Sequence, residues 1–192
     1  MTSLPKLFMI MLGCTPPGRY TQQHDVFFGI GFRMNDLKRD LINFWPEAAG
    51  KIHLDAWREV TRIDGYNIAV IEVTEDTVAS PYKLFFLNLG GYRKDEFGEL
   101  HYKMLVVANG KADAIRQAKQ TAFYKHNGFT GPTSHGATSH IDEKYGVDVD
   151  DVFEIMDVLP TGLKMKYKLL ISKVEGVSED EIHLGYMRIE KL

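Results

Sequence analysis

The sequence predicts an α+β fold. Two tandem β-β-α-β-β units with pseudo-two-fold symmetry carry their helices on one face of mostly antiparallel sheet, and a C-terminal β-hairpin follows. Three observations predict it. First, the chain contains a near copy of itself. Lys6-Leu7-Phe8-Met9-Ile10-Met11-Leu12-Gly13 returns 77 positions on as Lys83-Leu84-Phe85-Phe86-Leu87-Asn88-Leu89-Gly90. At the same offset His24 falls on His101, Asp36 on Asp113, Tyr20 on Phe97 and Gln22 on Glu99. Second, β-rich runs flank one stretch of helical spacing in each copy. Third, residues 164–174 and 182–190 alternate apolar and polar with no counterpart in the first copy.

In the first copy, Leu7 to Leu12 is a continuous apolar run, as expected of a strand covered on both faces. Pro16-Pro17-Gly18 marks a turn, and His24 to Phe32 forms a second strand. Gly29 and Gly31, two apart, share a face and indicate close approach of a neighbouring element. Asn35 is placed to cap a helix with apolar positions Leu37, Leu41, Phe44 and Trp45, ended by Pro46 and Gly50. Lys51 to Val60 and Tyr66 to Val73 supply two more strands, with a turn at Asp64-Gly65. Trp45, Trp57, Phe44 and Tyr66 are expected in the core.

The second copy repeats the order. Strands over 83–90 and 101–108 precede a helix from Ala112 to His126, stopped by Gly128. Strands over 140–149 and 152–159 follow. The expected organisation is residues 1–76 as first repeat, 80–160 as second repeat and 161–192 as the hairpin extension. Thr74 to Pro81 is too short a link for independent tumbling, so the copies are expected to share one core or sheet.

Composition bounds the function classes. The chain has 192 residues, 44% hydrophobic and 26% charged, as in an ordinary globular protein. A net charge of -3, with no Lys/Arg cluster, gives no reason to expect nucleic acid. One cysteine excludes an intrachain disulfide and fits a reducing compartment. The start, with Leu7 to Leu12 before Gly13-Cys14, loosely resembles a lipoprotein-type leader, but six apolar residues fall below the usual span of about 7–15. Its match at Lys83 to Gly90 also lies mid-chain, where no leader acts. No apolar run approaches the roughly 20 residues that cross a bilayer. The expected location is cytoplasmic, without membrane contact.

The paired Leu-Phe…Leu-Gly…His blocks, with His53-Leu54-Asp55 and His140-Ile141-Asp142, resemble a bacterial family catalogued only as a domain of unknown function, found as one or two tandem copies. The resemblance covers most of residues 6–160. It implies a stand-alone bacterial protein and carries no activity, cofactor or catalytic residue.

The residues themselves nominate a site. In a strand, residues two apart share a face, so His53 lies beside Asp55 and His140 beside Asp142. A carboxylate next to an imidazole orients it, which suits a general base or metal ligand; the same pair also simply satisfies buried polar groups. His24 and His101 open the second strand of each copy, beside a loop, where binding groups are often carried. The ligand-binding candidates are therefore His24, His101, His53, Asp55, His140 and Asp142, lining one site between the copies. No catalytic residue is assigned.

Before His140 the offset grows from 77 to 87, so extra residues separate the second helix from the His-Ile-Asp strand. That stretch carries His126 and His135, and with His140 these are the candidates for a metal, although only His135 to His140 has compact ligand spacing. A polar loop is the simpler reading, and no metal site is assigned. Cys14 is the lone candidate thiol nucleophile, but copy two has Gly91 there. Gly31-Phe32-Arg33 and Asn109-Gly110-Lys111 precede helices and have the form of an anion cradle without a phosphate motif.

Function follows only coarsely. The leading expectation is a non-catalytic small-molecule or protein-binding module, cytoplasmic and a homodimer. The alternative is a small His/Asp-dependent, metal-assisted hydrolase with its site between the repeats.

Overall fold

The first apolar run becomes the strand around which its unit is built. In the computed structural model, which describes residues 4–48, 50–75, 77, 80–92, 95, 97–120 and 147–192, strand β1 (Lys6–Cys14) pairs antiparallel on both edges. Its partners are β2 (Gln23–Gly31) and β3 (His53–Val60). Period-two alternation turns Phe8, Ile10, Leu12 and Cys14 to one face. There they are buried with Phe27, Leu41, Ile52 and Leu54. A helical segment crosses this face: a 3-10 turn (Met34–Leu37), then α1 (Lys38–Phe44), contributing Leu37 and Leu41. Full burial of each such side chain contributes on the order of 1.5–3 kcal/mol. Asp36, rather than Asn35, ties down the helix entry, because its Oδ2 accepts from the backbone N–H groups of Phe32 and Arg33 at 3.0 and 2.9 Å.

The chain divides into two units, Met1–Ser80 with Leu159–Leu192, and Pro81–Val158. In the first, the sheet order is β10-β3-β1-β2, where β10 is His183–Arg188. A second sheet has the order β4-β5-β9, from Arg62–Ile63, Tyr66–Glu72 and Tyr167–Lys173. The hairpin between β4 and β5 turns on Asp64-Gly65, both at positive φ (50° and 78°), the two-residue geometry that matches strand twist.

Two expectations are corrected here. The C-terminal strands do not form a hairpin: β9 pairs with β5 and β10 with β3. Each covers an edge left open by the first eighty residues, so residues 161–192 complete the first unit. Nor is there a separate strand over 152–159: β8 (Val147–Glu154) runs into that stretch and is followed by short helices α3 (Ile155–Val158) and α4 (Thr161–Lys166), α4 lying in the first unit, while residues 140–146 of the other expected strand lie outside the described residues. Ile155 and Leu159, both buried, are four apart, which is helical spacing.

The second unit sets β6 (Lys83–Tyr92) between β7 (Glu99–Ala108) and β8, again antiparallel. Helix α2 (Lys111–Ala118) lays Ala114 and Ala118 on Phe85, Leu87, Leu89 and Val106. The order β7-β6-β8 matches β2-β1-β3 strand for strand. The architecture is α+β with antiparallel sheets. Among the described residues no helix is long and apolar enough to cross a membrane.

Candidate functional site

The site begins with a glycine. Along β1 the residues on the face away from α1 end at Gly13, which pairs with His24 on one side and His53 on the other. One residue further, the β1–β3 register shifts: Leu12 faces Leu54 and Met11 faces Ala56, so Asp55 has no ladder partner. Such a bulge re-aims a side chain, and here it sends Asp55 toward the space above Gly13. A Cβ at position 13 would lie 2.7 Å from His53 Nε2 and closer still to Asp55 Oδ2 and Gln22 Nε2. The missing side chain is what admits these groups.

Four side chains converge there. Gln22 Nε2 lies 2.8 Å from His53 Nε2 and 3.2 Å from His24 Nε2, and donates to Asp55 Oδ2 at 3.1 Å. Asp55 Oδ2 is in turn 3.1 Å from His24 Nε2 and 3.4 Å from His53 Nε2. The side chains are 44% (His24), 27% (Asp55) and 12% (His53) exposed, so the cluster has one enclosed wall and one open side. The enclosed wall includes Tyr186 of β10, whose ring centroid is 4.5 Å from that of His53.

The same construction stands in the second unit. Gly90 pairs with His101 and with Asp148, and the β6–β8 register shifts one residue on, so that Asp150 falls at the bulge. A Cβ at position 90 would lie 2.5 Å from Asp150 Oδ2 and 2.7 Å from Glu99 Oε1. His101 Nε2 is 3.3 Å from Asp150 Oδ2 and 3.7 Å from Glu99 Oε2. The ligand-type atoms of Glu99, His101 and Asp150 all lie within 4.8 Å of one another. Glu99 replaces Gln22, and Asp148-Val149-Asp150 occupies the ladder positions of His53-Leu54-Asp55. The second cluster is oxygen-rich where the first is nitrogen-rich.

Of the nominated residues, His24, His53 and Asp55 come together and His101 joins Glu99 and Asp150. His140 and Asp142, like His126 and His135, lie outside the described residues. Among the described residues the strand beside β6, opposite β7, is β8, in which Asp148-Val149-Asp150 stands at the ladder positions of His53-Leu54-Asp55. Sequence reasoning did not nominate Gln22, Asp150, Tyr186, Gly13 or Gly90. The signal for Asp150 was an Asp-x-Asp run, Asp148-Val149-Asp150, eight residues beyond the His-x-Asp chosen.

Other candidates fall away on their surroundings. Cys14 is buried in the core on the opposite face from Gly13, and burial pushes its thiol above the ordinary range, against nucleophilic use. The backbone groups before the helices are taken by the protein's own carboxylates: Asp36 accepts from Phe32 and Arg33, and Asp113 from Asn109 at 3.3 Å. Trp45 and Trp57 pack against the core as expected, whereas Phe44 is 40% exposed. A shallow depression along α1, lined by Asn35, Lys38, Arg39 and Ile42, contains none of the histidines.

Comparison with known proteins adds a likeness of fold and a family match over part of the chain. Residues 19–70 match the family described as Domain of Unknown Function (DUF1543), in agreement with the resemblance found in the sequence and over a shorter stretch. That stretch contains Gln22, His24, His53 and Asp55. No curated protein matches the chain. Among solved structures, the chain is similar to the protein Il1583 from Idiomarina loihiensis, at 20% identity and a TM-score of 0.61. The match covers 96% of this chain and 98% of that one. At that identity the likeness speaks to fold alone.

Proposed function

We propose that this protein is a binding module for a divalent transition-metal ion, held in its first unit by His24 Nε2, His53 Nε2 and Asp55 Oδ2. The observation that supports it is the convergence of these three atoms within 3.2 Å of one amide nitrogen, that of Gln22. An amide nitrogen has two hydrogens and cannot serve three acceptors at once. A metal cation accepts from all of them. Imidazole nitrogen with carboxylate oxygen is the donor set of zinc, cobalt and nickel sites. Bonds of about 2.0–2.2 Å in a tetrahedron put neighbouring donors roughly 3.3–3.6 Å apart; the two His–Asp separations, 3.1 and 3.4 Å, are close to this, and the two imidazole nitrogens, which stand wider, would draw together around the ion. Turning the Gln22 amide over brings its Oε1 to the same point as a fourth ligand.

The test is calorimetric titration of the full chain with Zn²⁺ and Co²⁺. The expected result is one stoichiometric site, with affinity lower by at least about 100-fold in His53→Ala and His24→Ala. A wild-type chain that binds neither ion overturns the reading. A second reading, a metal-assisted hydrolase, is favoured by the open side at His24, since catalytic zinc sites keep a free position. Turnover of simple ester or phosphoester substrates by zinc-loaded protein, lost in His53→Ala, selects it over plain binding.

Two wider expectations belong to the same proposal. A homodimer is supported by β10, a strand at the end of its sheet order with Leu184 82% exposed, and light scattering tests it. A cytoplasmic location is supported by the single cysteine; fractionation tests it.

A further inference from the structure

We infer that Tyr186 is the positioning residue of the first unit's site, holding the His53 imidazole with its Nε2 aimed at the point where His24 and Asp55 meet. This deepens the cation-binding reading and rests on it, except for one arm of the test below.

The inference comes from how β10 is laid against β3. The strand is pinned at both ends. His183 stacks on Trp57 with ring centroids 3.9 Å apart and planes 16° from parallel, and Met187 packs against the core just before buried Ile189. Between these anchors the strands widen step by step. Where β1 passes directly from Leu12 to Met11, β3 inserts Asp55 and β10 inserts both Gly185 and Tyr186. Gly185 sits at φ +134°, a backbone conformation that L side chains rarely adopt, so the extra length depends on glycine.

The consequence is local and directed. Arg188 is the ladder partner of His53, and Tyr186, two residues earlier, lies on the same face. Its ring reaches to 4.5 Å from the His53 ring, tilted by 38°. His53 is the most enclosed of the three ligand-type side chains, and the ring at its side blocks rotation of the imidazole away from Asp55. A ligand held in place before binding costs less conformational freedom on binding. In the second unit β8 ends the sheet order, so among the described residues no strand offers an equivalent aromatic to Asp148. Among the described residues, Tyr186 therefore distinguishes the two clusters.

The test compares Tyr186→Ala, Tyr186→Phe and Gly185→Val with wild type, and uses Leu184→Ala, on the same exposed strand, as control. Tyr186 is 64% exposed, so its truncation leaves the core intact. Where wild type binds Co²⁺, the expected result is an affinity about 10-fold lower in Tyr186→Ala and Gly185→Val, with Tyr186→Phe and Leu184→Ala at the wild-type value. Equal affinity in Tyr186→Ala overturns the inference. Where wild type binds no Co²⁺, the cation reading fails on its own and ¹⁵N imidazole spectra of the ion-free protein decide. A single His53 tautomer in wild type and Tyr186→Phe that becomes averaged in Tyr186→Ala supports positioning. A His53 tautomer unchanged by Tyr186→Ala overturns it.

Discussion

His53 stands directly across the β1–β3 ladder from Gly13, and its Nε2 lies 2.7 Å from where a Cβ at position 13 would sit. Strand, bulge and glycine act together in this relationship. The ladder brings His53 and His24 to either side of Gly13, the bulge adds Asp55, and the absent side chain leaves the volume in which they meet.

Gly13→Ala isolates that volume. The added methyl meets only the ends of side chains, so the fold survives, and the smaller backbone freedom of alanine contributes about 0.4–1 kcal/mol to stability. The side-chain ends must move apart. Calorimetry is expected to show Co²⁺ affinity reduced by about 10-fold or more while thermal unfolding is no weaker. Unchanged affinity would mean that the glycine floor has no part in binding.

Glu99→Gln tests the contrast between the clusters. Two carboxylates around His101 suit a harder cation than the first unit's imidazole pair. Mn²⁺ is expected to broaden the His101 imidazole resonances in wild type, and the substitution, by removing one charge, to weaken that effect several-fold. Co²⁺ binding at His24 and His53 should not change.

Asp180→Ala tests an anchor on the segment leading to β10. The Asp180 carboxylate accepts from the backbone N–H groups of Thr61 and Arg62 at 2.6 Å each and from the Thr61 hydroxyl, and lies 3.9 Å from buried Arg58. Removing it leaves those donors unmet and Arg58 with less compensation. Urea unfolding is expected to show a loss of about 2–4 kcal/mol. A loss below about 0.5 kcal/mol, the range of ordinary surface changes, would contradict this role.

Asp64→Asn carries a pH signature. Burial first, then the neighbouring Glu179 carboxylate, pushes the Asp64 carboxyl above its ordinary 3.8, with Arg58 pulling the other way. A raised folded-state value favours folding while the group is protonated. That contribution is complete below the ordinary value and lost as pH rises through the raised one. At pH 7 the ionised carboxylate opposes folding. Asparagine removes the charge and tolerates the positive φ of the turn. The variant should melt above wild type at pH 7, and the gap should close as pH falls toward 3.8. A gap independent of pH would place its cause elsewhere.

Much of this was legible before any coordinates. A continuous apolar run and its near copy identified β1 and β6, and the 77-residue offset set His24 against His101, each the ladder partner of a glycine. The Asp64-Gly65 turn followed from backbone preference alone. Asp150 was not legible, because its place at a bulge depends on how β8 registers against β6, and side-chain identity along one segment does not encode register. The C-terminal alternation predicted two strands but not their partners, because a strand's pattern shows which face is buried and not which edge it joins.

By itself, the sequence determined the α+β class, the central strands, and the helices that follow β2 and β7, all consequences of local spacing and backbone preference. Tertiary structure alone decided that Asp55 and Asp150 leave their ladders at bulges, that Gly13 and Gly90 floor the clusters, and that Tyr186 arrives beside His53 from more than 130 residues away. The reason is physical. Register shifts and long-range edge pairing are settled by the packing of whole strands against one another, and no single segment encodes them.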